Sequence, residues 1–167
     1  MDPARAALDR ILREVIEGTS SEVAFVLNRG DRGLLSSLDA LPAQAASAQP
    51  GGRTSIAAHV DHLRYGFSLL NRWAKGEDPW HDADYSASWQ RQHVTDAEWV
   101  ALRQALATEA RAWMAAVREP RDWDIDGWSN ALASAVHLTY HLGAIRQLDP
   151  ATRGPKETDD AQTPPPE

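Results

Sequence analysis

The sequence predicts an all-α protein: a four-helix bundle with a short extra N-terminal helix and a disordered C-terminal tail. Three observations carry this. Apolar residues recur at helical spacing in several separate stretches. No stretch reads convincingly as a strand, and there is no internal repeat. Caps, prolines and glycines punctuate the helical stretches at plausible ends. The length of 167 residues suits one domain with a sizeable core.

In the first helix Leu8, Ile11, Leu12, Val15 and Ile16 share a face, with Pro3 in the first turn and Gly18 at the stop. A connection follows through "TSSEVAFVLNRGD", after which Asp31 is placed to cap a helix carrying Leu34, Leu35, Leu38 and Leu41. "AQAASAQPGGR" reads as a loop. Thr54 or Ser55 then caps a long helix whose seam is Ile56, Val60, Leu63, Phe67 and Leu70. The stretch from Glu77 to Val94 is a long polar and aromatic loop. "TDAE", residues 95–98, is a capping box. It opens a helix with Trp99, Leu102, Leu106, Trp113 and Val117 on one face, stopped by Pro120. The last helix is expected from near Ser129 to about Leu148. Residues 1–148 therefore form the domain. Residues 149–167, rich in proline and charge, read as a disordered tail.

Composition narrows the function classes. A net charge of −7 without basic runs disfavours nucleic acid and anionic membranes as partners. There is no cysteine, so no disulfide and no thiol nucleophile of the chain's own. The N-terminus lacks the apolar core of a signal peptide, which points to the cytoplasm. Seven tryptophans against two phenylalanines suggest bulky packing with a polar handle, or the wall of a pocket.

The last helix carries the strongest signal. Gly127 to Ile145 contains no Asp, Glu, Lys or Arg, although a quarter of the chain is charged. Random placement would give such a run less than about 1% of the time. A charge-free helix is expected to be buried nearly all round. Its histidines, asparagine and serines argue against a membrane span. Leu132, Ala135, Leu138, Leu142 and Ile145 form an apolar arc, with Asn130, Ser134, His137 and His141 as a polar stripe outside it. His137 and His141 are one turn apart on one face, a spacing that suits a metal ion as well as hydrogen-bonded structural histidines. A third ligand would have to come from elsewhere. His59 and His62 of the second long helix are available, and helical phase alone mildly prefers His59.

Ser55, Ile56, His62 and Leu63, followed by His137, His141, Gly143, Ile145, Arg146 and Gln147, resemble the paired motifs of the DinB-like superfamily of helical metalloproteins. The resemblance covers roughly residues 25–148. It implies a bundle of up-down-down-up topology and a divalent metal held by three histidines, which map to His62, His137 and His141. His59, Ser134, Tyr140 and Arg146 are then pocket or outer-contact candidates, with Arg146 available to an anionic substrate. Zinc, nickel or iron would each suit such a donor set. The family includes thiol S-transferases, so a small-molecule substrate with a low-molecular-weight thiol is implied, and a homodimer is compatible. A hydrolase using metal-activated water and a non-catalytic stress-response metal binder are the alternatives. His81 and His93 read as solvated, and Trp80, Tyr85 and Trp89 as a lid over the pocket mouth.

Overall fold

The computed structural model describes residues 2–19 and 23–156, and among these it is all-helical, with no strand. The far end of the expected tail, 157–167, lies outside the described residues. Four helices are long: α1 (Pro3–Glu17), α4 (Ile56–Ala74), α5 (Asp96–Arg118) and α6 (Ile125–Leu148). Two short ones, α2 (Gly33–Asp39) and α3 (Ala43–Ala46), fall between α1 and α4. The expected short extra helix is thus not at the N-terminus. α1 spans 15 residues and buries a full face with Leu8, Leu12, Val15 and Ile16.

Local chemistry explains the boundaries. Asp2, Ser55, Thr95 and Asp124 each accept a hydrogen bond from a first-turn N–H of their helix, and Thr95 and Glu98 complete the capping box. The Asp124 cap starts α6 four residues before the expected Ser129. Asp31 does not sit at the cap of α2, which is Arg32, but its carboxylate accepts from the Gly33 N–H at 2.8 Å. Gly18 and Gly33, both at positive φ, let α1 and α2 cross. A Cβ on Gly33 would lie 2.4 Å from the Gly18 nitrogen.

Each long helix packs on two others, α1 and α4 both contacting α5 and α6. Side-chain contacts give the directions. Arg5 reaches the Val117 and Arg121 carbonyls and Asp9 pairs with Arg118, so α1 is antiparallel to α5. The Ser55 N–H donates to Gln92 and the Asn71 amide to the Glu109 carbonyl, so α4 is parallel to α5. His59 meets His141 and His62 meets His137, so α4 is antiparallel to α6. The shared core includes Leu12, Ile16, Val60, Phe67, Leu106, Trp113, Leu138 and Leu142. Each such side chain stabilises the fold by about 1.5–3 kcal/mol on burial. Trp99 and Trp113 are fully buried, with their N–H groups on the Leu41 carbonyl and the Ser134 hydroxyl.

Two expectations are corrected. α6 is not buried all round: Leu132, Val136 and Tyr140 face solvent, and Leu132 leaves the apolar arc. Ala131 takes its place in the core, because α6 meets its neighbours along the Ala131–Ala135–Leu138–Leu142–Ile145 line only. The start of the expected tail is structured. Pro150–Thr152 forms a 3-10 turn in which the Thr152 hydroxyl donates to the Asp149 carbonyl, and Arg153 donates to the Arg146 carbonyl. Those bonds and the burial of Thr152 outweigh a local composition that reads as disorder. No helix of the described residues is long and apolar enough to cross a membrane.

Candidate metal centre

The antiparallel pairing of α4 and α6 brings His62 against His137 and His141. Each offers one ring nitrogen, all within 4.8 Å of one another. The His137 Nε2 stands 3.2 Å from the His62 Nε2 and 2.9 Å from the His141 Nε2. Three Nε2 atoms around one zinc ion, each at about 2.0–2.1 Å, would stand roughly 3.3 Å apart in a tetrahedron. The two edges at His137 come within about 0.4 Å of that spacing, and the donors are of the type zinc takes, so the cluster could hold a single ion.

The protonation pattern points the same way. The Ser88 hydroxyl donates to the Tyr85 carbonyl at 2.7 Å, so towards His62 Nδ1, 2.9 Å away, its oxygen must accept. His62 thus carries its proton on Nδ1 and presents a bare lone pair at Nε2. On the other side, the His141 Nδ1 lies 2.9 Å from the His59 Nδ1. One of these two rings donates to the other: donation from His141 leaves its Nε2 bare, and donation from His59 leaves the His141 proton on Nε2, towards His137. The His137 Nε2 has the bare His62 Nε2 beside it at 3.2 Å and at most one proton to offer. Three neutral ring nitrogens gathered this closely could hold a metal ion.

Burial favours the neutral rings. It pushes His62 down to about 4 and His141 down to about 3, with repulsion from neighbouring histidines adding to both. His59 and His137 are lowered by burial too. All four rings are therefore neutral near pH 7. His62 and His141 are buried whereas His137 is exposed, which leaves the centre one open side. Trp89 closes another, its indole stacked on His62 with centroids 4.2 Å apart.

The remaining expected residues divide. His59 touches the cluster through His141. Ser134 lines the cleft beside His137, but its hydroxyl is committed, donating to the Ala131 carbonyl and accepting from Trp113. Tyr140 is 71% exposed and only edges against His141. Arg146 is not at the cleft at all: it pairs with buried Asp31 at 2.8 Å, so its charge is unavailable to an anionic substrate there. Tyr85 and Trp80 line the cleft as the lid reading expected, and His81 and His93 are exposed. Ser88 was not legible in the sequence, since a lone loop serine carries no signal of the histidine it will meet. Asp61, next to His62 in sequence, binds Arg64 and Arg91, the latter from the loop that carries Ser88 and Trp89.

Fold and site together define the class as an all-helical protein with a three-histidine cluster able to hold a metal ion. No known family, characterised protein or solved structure matches the chain.

Proposed function

We propose that the protein is a divalent-metal enzyme of the DinB-like kind, an up-down-down-up four-helix bundle that activates a small thiol for transfer to an electrophile. The observation that carries the metal centre is the gathering of ring nitrogens from His62, His137 and His141, with Ser88 holding the His62 proton on Nδ1 and its Nε2 bare. The bundle reading is supported by the four long helices, their pairwise packing and the relative directions given above. A divalent ion there would lower the pKa of a thiol and hold its anion as a nucleophile.

The residues of the chain support thiol chemistry over hydrolysis. No carboxylate lines the cleft at His137, so none stands there to act as base for an attacking water. A thiol, with an ordinary pKa near 8.5, needs far less help than water. Its proton leaves to solvent through the open His137 side. The chain itself has no cysteine to compete for the ion. His62 and His141 anchor the centre, and Trp89 shields it from bulk water.

The test is metal content by elemental mass spectrometry on untagged protein, beside His62→Ala and His141→Ala. We expect near-stoichiometric zinc, nickel or iron in the wild type, lost in both variants, and thiol consumption with an alkylating electrophile that depends on the metal. A folded protein that refuses added zinc and nickel overturns the metal centre. A loaded protein without thiol turnover overturns the transferase reading and leaves a metal-binding bundle.

A further inference from the structure

A cleft of about 260 Å³ opens beside His137, between α4 and α6. Its walls are Leu63, Phe67 and Leu70 from one helix and Ala133 from the other, with Trp80 and Tyr85 at the rim. From Leu63 to Leu70, and from His137 back to Asn130, each wall runs two helical turns, about 10 Å. No carboxylate, lysine or arginine lines it; Asn130, Tyr85 and His137 supply the polar groups, the Ser134 hydroxyl being already committed. Away from the histidine end, a charged occupant would meet no charged side chain to partner it.

Gly66 makes the room. It sits in the middle of α4, where glycine costs about 1 kcal/mol against alanine. No positive φ explains it, and a Cβ built on it meets nothing within 4 Å. Its missing side chain faces the cleft instead. Elsewhere, an apolar cavity of about 150 Å³ accommodates a benzene ring, and drug-sized ligands take about 300 Å³ or more. The volume here lies between the two.

We propose that this cleft binds an uncharged, ring-bearing organic molecule of one or two rings, laid from Asn130 towards His137 as the electrophilic substrate. Its placement against the three-histidine centre rests on the metal reading above; its chemistry rests on the cleft alone. The hydrophilic small thiol enters from the open side and does not occupy this cleft.

The test uses two fluorescent two-ring probes with one skeleton: neutral 1-naphthylamine and its sulfonated analogue 1-naphthylamine-5-sulfonate. Fluorescence titration of the full chain should show one saturable site for the neutral probe, with the anion at least tenfold weaker. Gly66→Leu, and independently Ala133→Phe from the opposite wall, should each weaken the neutral probe tenfold or more while zinc binding and helix content stay unchanged. Equal binding of the two probes, or undiminished binding in both variants, overturns the proposal. Cobalt loading should broaden the naphthyl proton resonances of the bound probe, which zinc loading should not. Sharp resonances on cobalt-loaded protein overturn the placement. A chain that takes no metal but binds the neutral probe through Gly66 defeats the metal reading and keeps the cleft's ligand class.

Discussion

The Ser88 hydroxyl lies 2.9 Å from His62 Nδ1 and donates its own proton to the Tyr85 carbonyl, so a loop serine sets the tautomer of a histidine on α4. Ser88→Ala removes that acceptor without disturbing the core. Zinc affinity should fall by about tenfold or more, the usual effect of losing an outer-shell partner, with one ion per chain still bound at saturation. Competition titration against a chelator reads this directly.

His59 and His62 exchange the roles that helical phase assigned them. The Nδ1 of His59 meets His141, while His62 presents Nε2 to the cluster. His59→Ala should keep one zinc per chain at roughly tenfold to a hundredfold weaker affinity. His62→Ala should lose the ion. The reverse result, measured by metal content, would make His59 the ligand.

Asp61 is buried and holds Arg91 at 2.9 Å, tying the loop with Ser88 and Trp89 onto α4. In Asp61→Ala the amides of residues 87–92 should exchange with deuterium at least tenfold faster, while those of α5 keep their protection. Unchanged exchange would mean that the Trp89–His62 stack alone retains the loop.

Stability of the metal-free protein should depend on pH through the buried histidines. His62 and His141 titrate near 4 and 3 when folded but near 6.5 when unfolded, so the unfolded chain binds more protons between those values. Their contribution is complete above pH 6.5 and is lost as pH falls through that window. Urea midpoints should fall from pH 6.5 towards pH 4, and His141→Leu should flatten the slope. Wild type and variant falling in parallel would contradict the burial argument.

Arg146 tests the separation of structure from site. Its guanidinium pairs with Asp31, whose side chain is 2% exposed, and Arg146→Ala would leave that carboxylate buried and unpaired. The cost should be about 3–5 kcal/mol by urea denaturation. Zinc affinity, measured where the variant remains folded, should not change.

Much of this protein was determined locally, and local patterns carried it. The seams on α1, α4 and α5 and the Thr95 capping box depend on residues three or four apart, so periodicity and cap chemistry found them. The polar stripe of Asn130, Ser134 and His137 on α6 was equally visible, and it does line a cleft. Tertiary contact decided the rest. Which of His59 and His62 turns Nε2 to the cluster depends on how α4 lies against α6, a relation no single helix encodes. Leu132 is exposed because α6 touches its neighbours along one line only, although its composition suits burial on every side. Ser88 reaches His62 across 26 positions of sequence and Arg146 reaches Asp31 across 115, and such bonds are chosen by packing distance rather than by spacing along the chain.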